Sequence, residues 1–149
     1  MQTLLVPLDA SASTAKVLNF AEGLARQLPA RVVLLHVIEP VATYVPVGAA
    51  MDVIATSPPP MDAGETDGAK QRIELLAAPL RAGGIDVACE AVLGLAVDEI
   101  IEQAKTLAAD YIVVGSHGHG ALYHLFSGSV VTGVLKHSPC PVIVVPVGK

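Results

Sequence analysis

Charged and aromatic residues are both scarce in this sequence of 149 residues. Charged residues make up 15% of the chain and aromatic residues 3%, and tryptophan is absent. The nine lysine and arginine residues are scattered along a chain whose formal net charge is −5. Nucleic-acid binding usually relies on a concentrated basic surface and on rings that stack with bases. The composition therefore argues against nucleic acid as a partner.

Cysteines and long apolar runs are also scarce. Cys89 and Cys140 are the only cysteines, and their spacing is not that of a Cys-x-x-Cys pair or a ligand cluster. We expect two reduced, packed thiols. Although 52% of the residues are hydrophobic, no run approaches the roughly 18 residues that a membrane span needs. The N-terminal segment lacks a basic region and contains Asp9, which argues against a signal peptide. We expect a soluble, cytoplasmic protein.

Short β-branched runs alternate with segments of helical period along the whole chain. This alternation is typical of β-α-β units around a parallel sheet. Several runs are almost entirely apolar, which predicts strands that are covered on both faces. A chain of this length fits one α/β domain, residues 1–149, with helices on both faces of the sheet. The predicted strands are residues 4–8, 32–37, 86–91, 111–115 and 142–145, and apolar residues at helical spacing fall within 17–28, 73–80, 97–107 and 130–135.

Residues 38–65 interrupt this alternation. They hold five of the eleven prolines and show no sustained period. We interpret them as a long Pro-rich excursion within the domain, after the second strand. A loop of this length is either functional or disordered, so its apolar part, residues 41–55, either covers a pocket or partner surface or is a mobile insertion.

The passage from Gly115 to Ser129 is rich in glycine, serine and histidine and has no charged residue. It follows the fourth predicted strand and leads into the fourth helix. Glycines let backbone N–H groups approach an anion, and a helix N-terminus offers free N–H donors. The pattern predicts a phosphate cradle in which Mg²⁺ balances a triphosphate's charge, because no lysine or arginine is present. The candidate contacts are Gly115, Ser116, Gly118, His119, Gly128, Ser129 and Val130.

Two other interpretations of this passage stay open. It is neither a Walker A loop nor a GxGxxG turn, and a glycine-rich turn before a serine-capped helix explains the same residues. His117, His119 and His124 suggest a zinc site, but no cysteine or carboxylate within the passage completes a ligand set. We favour phosphate contacts by His119 and His124 when they are protonated, and the sequence identifies no metal ligand.

Other candidate residues lie at the ends of the first two strands. Ligands of parallel α/β sheets bind outside the carboxyl ends of the strands. Asp9 follows the first strand, where it either caps the first helix or accepts hydrogen bonds from ribose hydroxyls or an exocyclic amine. Val37 ends the second strand, where its backbone N–H and C=O groups and apolar side chain suit an adenine ring.

Several motifs together resemble those of the universal stress protein family, in its single-domain, ATP-binding branch. The resemblance covers nearly the whole chain. Its most specific part is Gly115-x2-Gly118-x9-Gly128-Ser129-Val130, and the other matching segments are VPLDAS at 6–11, LHV at 35–37, GLA at 94–96 and HSPCPV at 137–142. The departures are Ala10 and Ala96, where glycine and proline are common, and Gly133, which we expect to weaken its helix by roughly 0.5–1 kcal/mol relative to alanine.

The resemblance implies a five-stranded parallel sheet of order 3-2-1-4-5 and a homodimer formed through the last strand, Val142–Val145. It implies that Pro7, Asp9 and Val37 surround adenine and ribose, and that the glycine passage holds ribose and phosphates. The implied function is that of an ATP-binding stress regulator with Mg²⁺ on the phosphates and an unidentified protein partner. A slow ATPase or phosphotransfer enzyme and a dimeric scaffold without nucleotide are the alternatives. Turnover should be slow, because the passage has no lysine or arginine to stabilise charge on the γ-phosphate.

Overall fold

A computed structural model describes residues 1–9, 11, 13–40, 63–116 and 130–147. Within these residues, strands and helices alternate from end to end. In chain order they are β1 (Gln2–Pro7), α1 (Thr14–Gln27), β2 (Ala30–Ile38), α2 (Ala63–Ala82), β3 (Val87–Leu93), α3 (Ala96–Thr106), β4 (Tyr111–Gly115), α4 (Val130–His137) and β5 (Val142–Val145). The predicted alternation is confirmed.

The strands form one parallel sheet of order β3-β2-β1-β4-β5, which confirms the predicted fold and strand order. The register places Val6 beside Leu34 and Ile112 beside Val142. From β1 the chain winds to β2 and β3 on one side and returns to β4 and β5 on the other. The loops after β1 and β4 therefore diverge, and a crevice is expected between them.

The core forms two layers, one on each face of the sheet. Leu4 and Val6 of β1 pack in the layer of α1 and α2, whereas Leu5 packs in the layer of α3 and α4. These three residues are fully buried. Because successive strand residues point to opposite faces, β1 supplies apolar side chains to both layers. The prediction of helices on both faces is confirmed.

The boundaries of the Pro-rich excursion, predicted as residues 38–65, need correction. Ile38 is the last residue of β2 and pairs with Leu93, and residues 63–65 belong to α2. Residues 41–62, which make up most of the predicted excursion, lie outside the described residues. In the part of the chain that the structure describes, every helix is too short or too polar to cross a membrane.

Gly133 lies inside α4 at a close approach to α3. A Cβ atom added there would lie 2.6 Å from Cγ2 of Val97, which is too close for two carbon atoms. Gly133, which we expected to weaken its helix, is therefore needed for the packing of α4 on α3. Tertiary contact outweighs helix propensity at this position.

Candidate functional site

A cavity of about 630 Å³ lies at the carboxyl ends of β1, β2 and β4. Its wall is completed by residues at the starts of α1, α3 and α4. The strand ends and the segments after them contribute Pro7, Leu8, Asp9, Leu35, His36, Val37, Glu39, Val114 and Gly115, and the helix starts contribute Ser13, Thr14, Val17, Ala96, Ile100, Val130 and Val131. The cavity thus lies where the winding of the sheet reverses, the usual ligand position in this class of fold.

The cavity brings together many of the residues that the sequence singled out. Pro7, Asp9, Val37, Gly115 and Val130 all line it, although they come from four separate parts of the chain. The remaining loop candidates, together with the neighbouring loop histidines, lie outside the described residues; they are Gly118, His119, Gly128 and Ser129, with His117 and His124.

Ser116 is also described, but its side chain serves a different purpose. It is buried and absent from the residues that line the cavity. Its Oγ accepts a hydrogen bond of 3.2 Å from the N–H of Val147, and its own N–H donates to the carbonyl of Val145 at 2.9 Å. Ser116 therefore fastens the end of β4 to the segment after β5.

Asp9 closes the turn after β1. Its Oδ1 accepts a hydrogen bond of 3.1 Å from the N–H of Ser11. The α1 helix begins only at Thr14, and its N-cap residue is Ser13. The interpretation of Asp9 as a cap of the first helix is therefore wrong. Asp9 is instead one of the residues that line the cavity.

The end of β2 exposes backbone groups to the crevice. Val32 donates its N–H to Asp86 on the β3 side, whereas the Leu35 carbonyl accepts from the N–H of Leu8 on the β1 side at 2.8 Å. Alternate residues of a strand direct their backbone groups to the same neighbour. Val37, two residues after Leu35, therefore points its N–H and C=O to the β1 side, where β1 has ended at Pro7. These groups can pair with a planar ligand edge that offers one acceptor and one donor.

His36 holds the turn after β1 in place. Its Nδ1 donates a hydrogen bond of 3.0 Å to the carbonyl of Leu8, because a carbonyl oxygen can only accept. Together with the bond from Leu8 to Leu35, this contact fixes the first residue after β1 against β2. His36 therefore positions the wall next to Asp9.

Glu39 is a lining residue that sequence reasoning missed. Its Oε1 accepts a hydrogen bond of 2.9 Å from the N–H of Ala96, the first residue of α3. The N-cap residue Leu95 makes no side-chain capping bond, so Glu39 caps α3 from another part of the chain. The two residues are separated by 57 positions. No local pattern connects them, and Glu39 fell within the segment interpreted as an excursion.

The start of α1 was also missed. Ser13 and Thr14 line the cavity. The Ser11 and Ser13 hydroxyls are hydrogen-bonded to each other, whereas Oγ1 of Thr14 is buried and has no hydrogen-bond partner. A buried hydroxyl without a partner is uncommon and needs an explanation.

The described part of the cavity wall is acidic. Asp9 and Glu39 contribute carboxylates, and no lysine or arginine is among the described lining residues. Within the described ranges, no group of three or more histidine, cysteine, aspartate or glutamate residues is arranged to hold a metal ion. An anionic ligand would therefore depend on backbone N–H groups, hydroxyls and the starts of α1 and α4.

The chain was compared with known proteins. The family model described as the universal stress protein family matches residues 1–146. The universal stress protein YxiE of Bacillus subtilis is 30% identical over 145 residues, which cover 95% of this chain and 97% of that protein. The solved structure of the protein MJ0577, from Methanocaldococcus jannaschii, has a TM-score of 0.76 against this chain at 27% identity. The match covers 99% of this chain and 97% of that chain.

A further solved structure contains a nucleotide. It is that of a universal stress protein from Archaeoglobus fulgidus in complex with dAMP. Its TM-score is 0.68 at 20% identity, and the match covers 97% of this chain and 98% of that chain. At this identity the likeness is one of fold.

Proposed function

Because the chain belongs to the universal stress protein family, we propose that it binds ATP in the cavity at the carboxyl ends of β1, β2 and β4. The observation that carries this proposal is the cavity of about 630 Å³ at the reversal of the sheet's winding, with free backbone groups beside it. The nucleotide complex of a protein with the same fold supports it. ATP binding would serve regulation, through a change in the surface offered to a protein partner.

The base and ribose belong at the β1 and β2 side of the cavity. Pro7 and Val37 provide apolar contacts for adenine, and the backbone of Val37 offers one donor and one acceptor to its edge. The Asp9 carboxylate accepts hydrogen bonds from the ribose hydroxyls. These residues come from strand ends, which hold them in fixed positions.

The phosphates belong at the β4 and α4 side. Gly115 and Val130 line the cavity there, and we propose that Gly118, His119, Gly128 and Ser129 complete the contacts. We do not include the hydroxyl of Ser116, because that side chain is buried and is not among the described residues that line the cavity. Mg²⁺ bound through the phosphates would offset their charge, since the described wall has no lysine or arginine.

A slow ATPase is the alternative within the same site. Rapid phosphoryl transfer needs charge stabilisation at the γ-phosphate and a group that orients the nucleophile. Among the described lining residues, no lysine or arginine offers that stabilisation. We therefore propose binding without efficient turnover. Phosphate release followed over hours at saturating ATP distinguishes the two.

The free edge of β5 suits a homodimer. β5 is the last strand of the sheet and pairs only with β4 among the described strands. Its residues Val142–Val145 are all apolar, and an open apolar edge favours pairing with another strand. We propose that two copies meet along this edge.

Calorimetric titration of the protein with ATP and Mg²⁺ tests the proposed function. We expect saturable binding of one ATP per chain, which Gly118→Val or Gly128→Val abolishes because a side chain blocks the approach of backbone N–H groups to phosphate. Gly23→Ala is the matched control: it adds a side chain to an α1 glycine with open space around it, and binding should be unchanged. Absence of binding by the wild-type protein at millimolar ATP would refute the proposal. Wild-type affinity in either valine variant would refute the loop assignment alone.

A further inference from the structure

Thr14 is the first residue of α1, and its side-chain hydroxyl is buried without a hydrogen-bond partner. The residue is only 9% exposed and lies in the cavity wall. Its Oγ1 is the one buried side-chain nitrogen or oxygen atom without a hydrogen-bond partner among the described residues. Its backbone is satisfied by a 3.1 Å bond from its N–H to the carbonyl of Ser11. Only the hydroxyl is left without a partner.

The helix that begins at Thr14 has no side-chain cap. Its N-cap residue, Ser13, makes no capping bond, and its first turn has no acidic residue. The Ser13 hydroxyl is instead hydrogen-bonded to the hydroxyl of Ser11. No side chain therefore makes a capping bond at the positive end of the α1 dipole, which lies at the edge of the cavity.

The position of Thr14 in the cavity follows from its neighbours. Val17, one helical turn further along α1, also lines the cavity, and its Cγ2 would lie 3.2 Å from a Cβ built on Gly115. Residues three apart share a helix face, so the Thr14 face of α1 is turned to the end of β4. This is the phosphate side of the proposed site, opposite the Val37 backbone at the end of β2.

We propose that the Thr14 hydroxyl donates a hydrogen bond to the 5′-phosphate of the bound adenine nucleotide, in a phosphate subsite that the start of α1 completes. This inference rests on the proposed function. A hydroxyl is an uncharged donor for a phosphate oxygen, and a bond to that oxygen satisfies the atom that lacks a partner. Thr14 then distinguishes adenine nucleotides from adenosine.

Two substitutions separate the hydroxyl from the shape of the side chain. Thr14→Val keeps the volume and removes the hydroxyl, whereas Thr14→Ser keeps the hydroxyl and removes a methyl group. Adenosine, AMP and ATP are titrated against the full chain and both variants by calorimetry, with adenosine measured by competition against ATP. Thermal unfolding is measured without nucleotide. A residue with a merely structural role would lose stability and affinity together.

We expect opposite changes in Thr14→Val. Without nucleotide it should unfold at the wild-type temperature or above it, because it lacks a buried hydroxyl without a partner. Its affinity for AMP and ATP should fall about ten-fold or more, as expected for loss of a hydrogen bond to a charged group. Its affinity for adenosine should change by less than about two-fold, and Thr14→Ser should bind AMP within about three-fold of the wild-type affinity.

Several results would overturn the inference. Unchanged AMP affinity in Thr14→Val would mean that the hydroxyl makes no ligand contact. An equal loss of affinity for adenosine and for AMP would mean that the hydroxyl contacts the nucleoside and not the phosphate. A lower unfolding temperature with weak AMP binding in both variants would indicate a structural role. If the wild-type chain bound neither AMP nor ATP, the proposed function would fail and this inference with it.

Discussion

At the scale of single residues, Gly133 shows how a contact between two helices decides which residue is tolerated. Alanine there would improve helix propensity by about 1 kcal/mol, but its Cβ would meet Cγ2 of Val97 at 2.6 Å. Such overpacking costs about 1–3 kcal/mol. We therefore expect Gly133→Ala to lower the free energy of unfolding, by about 1 kcal/mol, in urea denaturation.

Gly23→Ala is the matched control for this prediction. Gly23 also lies inside a helix, but a Cβ there would have no atom within 4 Å. This variant should be more stable than the wild type by about 0.5–1 kcal/mol. Combining Gly133→Ala with Val97→Ala should reduce the steric part of the loss. Equal stabilisation by both glycine substitutions would contradict the account of α3–α4 packing.

The Cys89 thiol should make stability depend on alkaline pH. Both cysteines are free, as expected, and Cys89 is buried. Burial raises its pKa to about 11, and the charge of Glu74 adds to this effect. In the unfolded chain a thiol ionises near pH 8.5, so the folded state keeps a proton that the unfolded state loses. The stability contribution is complete below about pH 8.5 and is lost as the pH rises to about 11, by roughly 3 kcal/mol.

Denaturation at several pH values between 8 and 11 measures this loss. The Cys89→Ala variant lacks the thiol, so its stability should fall less steeply over the same range than that of the wild type. Other groups titrate here too, and the comparison of the two proteins removes their shared contribution. Parallel curves for the two proteins would mean that Cys89 does not contribute.

Sequence reasoning identified the residues of the site that belong to strand ends and to a glycine pattern. Asp9, Val37 and Gly115 were identifiable because parallel strands bring their carboxyl ends to one edge. Glu39 and Thr14 were not, for different reasons. Glu39 acts on a helix that begins far along the chain, and the importance of Thr14 lies in a missing hydrogen-bond partner. Neither property is visible in residue types or spacing.

At the scale of elements, α3 depends on a carboxylate that lies outside its own sequence. Glu39 accepts a hydrogen bond from the N–H of Ala96 at the start of the helix. Glu39→Ala removes both the acceptor and a negative charge near the positive end of the helix dipole. We expect a loss of about 1 kcal/mol in the free energy of unfolding. Glu39→Gln should lose less, because its amide oxygen still accepts the bond.

Glu102→Ala is the control for the α3 cap. Glu102 is an exposed acidic residue of the same helix, beyond its first turn. Its removal should change stability by no more than about 0.5 kcal/mol. If Glu102→Ala and Glu39→Ala had the same effect, Glu39 would act only through general charge and not as a cap.

The strands were easier to predict than the start of α2. Residues 32–35 of the second predicted strand, for example, are all apolar, and they are buried on both faces in the structure. The second helix was predicted from its apolar stripe at 73–80, but it begins at Ala63. Its first turns are mostly polar, and Ala69 is the one buried residue among positions 64–72. A solvent-facing helix segment gives little apolar period to detect.

At the scale of the whole molecule, the proposed dimer predicts different effects from two exposed apolar residues. Val144 of β5 is 36% exposed, and Leu75 of α2 is 76% exposed. We expect sedimentation to show a concentration-dependent dimer that Val144→Lys converts to a monomer, because charge opposes pairing at an edge strand. Leu75→Lys should leave the dimer intact although Leu75 is the more exposed. A wild-type monomer at all concentrations, or dissociation only by Leu75→Lys, would refute the β5 interface.

The alternation of strands and helices predicted an α/β sheet, but it did not determine which strands are neighbours. The order β3-β2-β1-β4-β5 was implied by the resemblance of motifs such as the one at 6–11. The physical reason is that several of the predicted strands are similar apolar runs suited to a buried position, so local sequence favours no particular pairing. The reversal of winding that creates the cavity is a property of the assembled sheet.

The central claim is that a nucleotide binds at the carboxyl ends of the strands, between the starts of α1 and α4. Titration of the ¹⁵N-labelled protein with ATP and Mg²⁺, followed by amide chemical shifts, tests it most directly. We expect saturable shifts for Asp9, Val37, Gly115 and Val130, which line the cavity, and little change for Thr3 and Asp110, which bond to each other at the opposite edge. No saturable shift at millimolar ATP, or shifts confined to that opposite edge, would contradict the account.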